Sequence, residues 1–131
     1  MTMAIGRYLQ AGLTAAVLAT ALGGCTHSTA VFAYERDVVW QAAMGECVIW
    51  RPQLDENEFV IRSTRIGLGG VELEYELTVA QEPSWTSRPR TRVSVRMVQT
   101  KPQSRRFVQE EKILLGRIGA SLEAIVRQMP Q

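Results

Sequence analysis

The chain has 131 residues, of which 46% are hydrophobic and 21% charged, and its formal net charge of +2 comes from 15 Lys and Arg against 13 Asp and Glu. These values are typical of one globular domain, exclude a multidomain enzyme, and do not indicate nucleic-acid binding, which normally shows as a clear basic excess. Two cysteines are too few for a disulfide scaffold, and one histidine, His27, leaves little basis for histidine-dependent catalysis.

The N-terminal segment, residues 1–24, has the pattern of a secretion signal. It contains one basic residue, Arg7, and no acidic residue, and an apolar run rich in Ala and Leu extends from Tyr8 to Leu22. A helix of about 15 residues is roughly 22 Å long, shorter than the ~30 Å hydrocarbon core of a membrane. The run therefore predicts a signal peptide rather than a permanent membrane span.

Directly after the apolar run, Leu22-Gly23-Gly24-Cys25 resembles the lipobox of bacterial lipoproteins. That resemblance implies cleavage between Gly24 and Cys25, a diacylglyceryl group on the Cys25 sulfur, and fatty acylation of the new N-terminus. Several acyl chains anchor a protein stably to a membrane, whereas one chain is marginal. The alternatives are an ordinary signal peptide or an uncleaved anchor with an incidental cysteine.

The resemblance also implies a location in the cell envelope. Thr26 is not the aspartate that favours retention in the inner membrane, so we expect the outer membrane, facing the periplasm, although the inner membrane stays open. The mature chain would run from Cys25 to Gln131. We expect residues 25–29 to form a lipidated tether, with His27 as a solvated linker residue rather than a ligand, and residues 30–131 to form a single domain.

The mature chain alternates between strand and helix patterns. A short apolar run predicts a first strand, Ala30–Tyr34. A helix then begins at Glu35 or Asp37, where a carboxylate meets unpaired N–H groups, and ends before Pro52. Its apolar side chains share one arc: Val38, Val39, Ala42, Ala43, Ile49 and Trp50.

Three further strands follow a polar turn at residues 55–57. The sequence predicts them at Phe59–Ile66, Val71–Val79 and Arg92–Thr100, with a turn at residues 67–70 and a long loop at residues 82–91. Alternation is clearest in the third strand, where one face carries apolar side chains and the other carries glutamates. This pattern indicates a half-buried antiparallel strand.

The C-terminal segment has the strongest helical pattern. Nine large apolar side chains fall within about 120° of arc: Phe107, Val108, Leu114, Leu115, Ile118, Leu122, Ile125, Val126 and Met129. Gly116 and Gly119 lie off this stripe, and the sequence gives no reason for them. The element order β-α-β-β-β-α predicts an α+β fold of two layers, in which an antiparallel meander packs against two helices.

Charged residues of both signs are expected on the exposed face of this sheet. Glu72, Glu74 and Glu76 share one face of the third strand, and its neighbours carry Arg62, Arg92 and Arg96. Pairs of opposite charge across strands contribute roughly 0.2–1 kcal/mol each and help to fix the register. Two glutamates about 7 Å apart also resemble a general acid and base, but that chemistry needs a cleft and a raised pKa, which an open face beside arginines does not provide.

Three other features of the sequence do not indicate a catalytic or ligand site. Asp55, Glu56 and Glu58 lack the spacing and glycine of a calcium loop, so they indicate a polar turn. Cys47 lies among apolar side chains on the first helix, so we expect a buried thiol without a catalytic role. The Gly67–Gly70 turn matches no nucleotide-binding spacing.

Basic charge is concentrated between Pro83 and Gln109, a stretch with seven basic and no acidic residues. Trp85 lies in the long loop with two arginines, an arrangement that suits contact with anionic headgroups or an acidic partner. The alternative is a solvated loop in which Trp85 folds back over the sheet edge. The candidate interaction surface consists of Trp85, Arg88, Arg90, Arg92 and Arg96.

Residues 31–50, within this pattern of elements, are similar to small bacterial lipoproteins of an uncharacterised family, and faintly resemble the opening of the helix-grip domains of the outer-membrane assembly lipoprotein BamC. The resemblance implies this fold and a location in the cell envelope. The exposed sheet face and the Trp85 loop lead us to expect a membrane-anchored, non-enzymatic module that binds an envelope protein or the membrane surface. A carrier of a small apolar ligand, held between the C-terminal helix and the sheet, is the alternative. We expect no enzymatic activity, cofactor, metal or nucleic-acid partner.

Overall fold

A computed structural model describes residues 26–83 and 88–129. Its elements are β1 (Ser28–Phe32), α1 (Arg36–Glu46), a 3-10 turn (Val48–Trp50), β2 (Gln53–Asp55), β3 (Val60–Ile66), a second 3-10 turn (Leu68–Gly70), β4 (Glu72–Gln81), β5 (Thr91–Lys101), β6 (Arg105–Arg106) and α2 (Val108–Gln128). The expected α+β fold is confirmed: a six-stranded antiparallel sheet packs against two helices.

The strands lie in the order β1-β5-β4-β3-β2, and β6 also pairs with β5. Because β4 pairs with β5 along its whole length, β1 and β6 share the opposite edge of β5. β1 reaches as far as Val95, and β6 begins at Val98. The main chain of Met97 therefore lies in the interval between these two short strands.

The alternation of apolar and polar residues in β4 and β5 matches the two faces of the sheet, as expected. Leu77 and Val79 are buried on the helix side, next to Val93 and Val95 of β5, while Glu74 is exposed on the other side. The predicted half-buried strand is therefore confirmed. One face of the sheet carries the helices, and the other, which we call the open face, carries polar side chains.

Both helices contribute their apolar stripes to one core around Phe32 of β1. Four apolar side chains of α2 are at most 6% exposed: Leu114, Leu115, Ile118 and Leu122. The ends of the predicted stripe are less covered, since Val108 is 39% and Met129 45% exposed. A β-carbon at Gly119 would lie 3.3 Å from Phe32 Cε1, so a close approach of α2 to the core explains this glycine.

The first helix is shorter than predicted. It ends at Glu46, and the chain continues as a 3-10 turn, which closes with Arg51 in the left-handed conformation at φ 50°. Ile49 was expected on the buried arc but is 66% exposed, because the change in helical geometry rotates it out of phase. Trp50 is still buried, and its ring stacks on that of Tyr75 at 4.8 Å.

Three local differences come from strand pairing. β1 begins at Ser28, two residues before the predicted strand. The two short strands β2 and β6 were not predicted. The polar turn after β2 is confirmed, because the Asp55 carboxylate accepts hydrogen bonds from the main-chain N–H groups of Asn57 at 3.1 Å and Glu58 at 3.0 Å.

The sheet has two distinct ends. The hairpin end carries Lys101 and the turn between β3 and β4 (residues 67–71). The loop end carries Thr91 and the described parts of the β4–β5 connection, residues 82–83 and 88–90. With a rise of about 3.3 Å per residue, β5 separates these ends by roughly 33 Å. The Ile49 carbonyl, 3.5 Å from Arg65 Nη1, places the 3-10 turn after α1 near the hairpin end.

Candidate binding surface on the open face

A row of charged side chains crosses the open face. In the register of the sheet, Arg62 of β3, Glu76 of β4 and Arg96 of β5 lie side by side, and Gln53 of β2 extends the row. Arg62 Nε donates a hydrogen bond to Glu76 Oε2 at 3.0 Å. The predicted pairing of the acidic strand with a basic neighbour is confirmed here. Since both side chains are exposed, the pair stabilises the fold by less than about 1 kcal/mol.

His27 also belongs to this row, although the sequence predicted a solvated linker residue. Its Nε2 lies 3.7 Å from Glu76 Oε1, and its Nδ1 is 2.7 Å from Thr26 Oγ1. The side chain is only 35% exposed. The reason is the early start of β1, because Ser28 lies opposite Val95 and the preceding residue therefore approaches the open face.

A cavity of about 270 Å³ lies on this face. Its lining residues are Arg62, Ser63, Thr64, Glu74, Tyr75, Glu76 and Arg96. Guanidinium groups donate hydrogen bonds and carboxylates accept them, so the cavity offers both kinds of partner to a polar segment. Alternating charges of this kind favour specific recognition of a complementary surface.

Of the four predicted interaction residues that the structure describes, three lie toward the loop end and one lies in the charged row. Arg96 lies in the charged row, but Arg92, four residues away on β5, pairs with Glu82 at 2.9 Å near the loop end. Arg88 and Arg90 belong to the loop end itself. Trp85 falls outside the described residues, as do Gly24 and Cys25 of the predicted cleavage and lipidation site.

Glu111 is a site that the sequence reading missed. It is fully buried in the first turn of α2, and its carboxylate accepts four hydrogen bonds. Ser28 Oγ donates to Oε1 at 2.6 Å, and the Met97 main-chain N–H donates to Oε2 at 2.8 Å. Arg106 donates from Nε to Oε2 at 3.0 Å and from Nη2 to Oε1 at 2.8 Å. Glu111 precedes Leu115 by four residues and Ile118 by seven, so it lies on the same face of the helix as these apolar side chains. This spacing is the sequence signal for its burial.

Two opposing effects set the charge state of Glu111. Burial raises its pKa, but the hydrogen bonds from Arg106, Ser28 and Met97 and the positive charge of Arg106 together outweigh burial. The pKa of this carboxyl therefore lies below its ordinary value of 4.5. The carboxylate is ionised at neutral pH and connects β1, β5, β6 and α2.

Cys47 is fully buried and is the free thiol of the described chain. Burial, with a smaller contribution from the charge of Glu46, raises the pKa of the thiol to about 12. The thiolate that nucleophilic chemistry requires is therefore scarce at neutral pH.

Residues 26–83 and 88–129 contain no group of three or more His, Cys, Asp or Glu side chains placed to hold a metal ion. None of the helices in these two segments has the length and apolar character needed to cross a membrane. Comparisons with protein-family models, curated proteins and solved structures give no significant match to this chain.

Proposed function

We propose that this protein is a lipid-anchored lipoprotein of the bacterial cell envelope that binds its partners through the open face of the sheet. The lipobox-like segment that ends at Cys25 supports the anchor. β1 begins only three residues later, at Ser28, so an anchor on Cys25 would hold the domain close to the membrane. The domain itself acts as a non-enzymatic binding module for an envelope protein.

The observation that carries this proposal is the asymmetry of the sheet. Its helix side is filled by a continuous apolar core, whereas its open face presents the charged row and the 270 Å³ cavity. Exposed polar side chains on a rigid sheet provide fixed positions for complementary groups of a partner. Because the row contains both Arg62 and Glu76, the partner that fits it is a protein surface with charges of both signs.

The packing does not favour the alternative, a carrier of a small apolar ligand. Such a carrier needs an apolar cavity of several hundred Å³ between α2 and the sheet. The side chains that face this space are buried against one another: Phe32, Ile118 and Leu122 are at 0% and Leu115 at 5% exposure. The 3.3 Å approach that a β-carbon at Gly119 would make to Phe32 also indicates tight packing there.

Site-specific photo-crosslinking in living cells tests the open face. A photoreactive amino acid replaces Ser94, which lies between the two open-face arginines of β5, and in a matched strain it replaces the exposed Lys112 of α2. We expect Ser94 to capture a discrete envelope protein and Lys112 to capture none or a different one. No adduct from Ser94, or the same adducts from both positions, would reject the open face as the binding surface.

A charge reversal gives a second, independent test. Arg96→Glu changes the sign of one charge in the row, and Lys112→Glu makes the same change on the helix side. The first variant should lose the Ser94 adduct while the second keeps it, because only Arg96 contributes to the charged row. Unaltered crosslinking in Arg96→Glu, with thermal unfolding equal to that of Lys112→Glu, would contradict the proposed recognition.

A further inference from the structure

Large aliphatic side chains are unusually exposed at the hairpin end. The described residues include eight exposed large hydrophobic side chains, and the four most exposed are Val48 at 65%, Ile49 at 66%, Ile66 at 76% and Leu68 at 97%. These four residues, which we call the aliphatic tip, contribute nothing to the core. Grouped apolar exposure of this kind marks a contact surface rather than ordinary surface variation.

Both pairs of the aliphatic tip lie toward the hairpin end of the sheet. Val48 and Ile49 form the turn after α1, and Ile66 and Leu68 surround the turn between β3 and β4. Arg65 connects the two segments, because its Nη1 lies 3.5 Å from the Ile49 carbonyl oxygen.

Two glycines make Leu68 protrude. Gly69 and Gly70 adopt positive φ angles of 75° and 78°, which residues with side chains rarely do, and this allows the chain to reverse tightly. Nothing lies within 4 Å of a β-carbon built on either glycine, so the turn stands clear of the rest of the molecule.

The two chain segments that carry the aliphatic tip are themselves basic. Residues 47–54 and 59–71 contain no acidic residue, and Arg51 and Arg65 are exposed within them. Glu72, opposite Ile66 in the register, directs its carboxylate to a hydrogen bond with Thr100 Oγ1 at 2.6 Å. Aliphatic side chains next to arginines match the interface of an anionic membrane, where apolar groups enter the acyl boundary and cations meet the headgroups.

The direction of β1 relates the aliphatic tip to the anchor. β1 is antiparallel to β5, with Phe32 opposite Thr91 and Ser28 opposite Val95, so its N-terminal end faces the hairpin end. The described chain starts at Thr26, one residue after Cys25. A lipid on Cys25 would therefore hold the side of the domain that faces the hairpin end nearer to the bilayer than the loop end.

We propose that the aliphatic tip inserts into the interface of an anionic lipid membrane and sets the orientation of the anchored domain. This inference rests on the proposed lipid anchor. It places the hairpin end at the membrane and turns Arg88 and Arg90, at the loop end, away from it. In this orientation the open face extends away from the membrane surface and is accessible to a partner.

Fluorescence from a single site tests the insertion in the full-length protein. Leu68→Cys carries a polarity-sensitive dye, and Gln81→Cys, at the loop end of β4, is the matched control. The buried Cys47 thiol does not compete for the dye. If Cys25 is unmodified, both variants are labelled again in a Cys25→Ser background, so that only position 68 or 81 carries dye. The proteins are reconstituted into vesicles of equal parts phosphatidylethanolamine and phosphatidylglycerol, with and without brominated acyl chains, and the mass of each purified protein reports whether Cys25 is lipidated.

We expect dye at position 68 to shift its emission to shorter wavelength and to be quenched by brominated lipid, while dye at position 81 does neither. The same result with an unmodified Cys25 would support the aliphatic tip and reject the anchor. Dye at position 68 that stays in water would overturn the insertion, whether or not Cys25 carries lipid. Equal quenching at both positions would overturn the proposed orientation.

Discussion

The buried carboxylate of Glu111 joins parts of the chain that are distant in sequence. It accepts hydrogen bonds from Ser28 of β1, Met97 of β5 and Arg106 of β6. The Met97 N–H lies in the interval between β1 and β6, where neither strand pairs with it, so Glu111 takes the place of a main-chain acceptor. A buried main-chain group without a partner would destabilise the fold.

Glu111→Gln should lower the free energy of unfolding by about 3 kcal/mol, because it removes the charge that Arg106 pairs with and directs an amide N–H group at other donors. Urea unfolding measures this difference. Glu110→Gln, at an exposed position in the same turn of α2, is the matched control and should change stability by less than about 0.5 kcal/mol. Equal stability of the two variants would contradict the structural role of Glu111.

The lowered pKa of Glu111 should make the stability of the protein depend on pH. The pKa of Glu111 is lower in the folded protein than its ordinary value of 4.5, so the unfolded chain binds more protons in the range between the two values. Its contribution to stability is therefore complete above the unfolded pKa and is lost as pH falls through the folded pKa. Urea unfolding between about pH 6 and pH 3 should show a smaller acid loss in Glu111→Gln than in the unaltered protein. Parallel pH profiles would rule out this linkage.

Cys47 should not react with alkylating reagents in the folded protein. Burial holds its pKa at about 12, and no part of the side chain is exposed. Iodoacetamide at about pH 8, followed by peptide mass spectrometry, should modify Cys47 only after urea is added. Rapid modification of Cys47 in the folded state would mean that α1 opens or that the thiol is accessible.

At the level of elements, the two glycines of α2 form a natural comparison. Both lie in the helix interior, where alanine is more favourable than glycine by about 1 kcal/mol. A β-carbon at Gly116 meets nothing within 4 Å, but one at Gly119 would lie 3.3 Å from the fully buried Phe32 ring. The close approach restricts Gly119 alone.

Gly116→Ala should therefore raise the free energy of unfolding by up to about 1 kcal/mol, whereas Gly119→Ala should gain less or lose stability. Thermal unfolding of the two variants measures the difference. If Gly119→Ala were as stable as Gly116→Ala, the packing of α2 against β1 would be looser than described.

The longer elements could be predicted from the sequence because their patterns are long and regular. The apolar–polar alternation of β4 extends over several repeats, and so does the apolar stripe of α2. A single residue that departs from the pattern therefore does not change the predicted element. The strands β2 and β6 have only three and two residues, and they form because a neighbouring strand offers hydrogen bonds. No local pattern encodes such pairing. Ile49 was misplaced for a related reason, since a helix pattern does not reveal where α-helical geometry changes to 3-10.

The same contrast applies to the candidate sites at the scale of the whole molecule. Contacts that follow from strand order could be predicted from the sequence, whereas contacts that arise only in the folded chain could not. Arg62 and Glu76 were expected to lie on one face because strand parity and the meander order define it. The contact of His27 with Glu76 depends on where β1 starts. The aliphatic tip depends on two turns that are separated in sequence by β2 and β3 and lie toward the same end of the sheet only in the folded chain. Within the predicted interaction surface, Arg92 lies toward the loop end and Arg96 lies in the charged row, because four residues of β5 separate them.

The two ends of the sheet differ in their surface residues, so the molecule as a whole is polar along β5. Its hairpin end carries the aliphatic tip, with Arg51 and Arg65 beside it, and the loop end lies roughly 33 Å away along β5. With the anchor and the aliphatic tip at the membrane, the charged row on the open face would project into the surrounding compartment. The anchoring step of this arrangement depends on the lipid at Cys25.

Intact-mass and N-terminal peptide mass spectrometry of the protein purified from its membrane fraction tests that step most directly. We expect a chain that begins at Cys25, with the added mass of a diacylglyceryl group and an N-terminal acyl chain. A Cys25→Ser variant should lose both the lipid and the cleavage. A mature protein with an unmodified Cys25, or one that is released into the soluble fraction, would contradict the account.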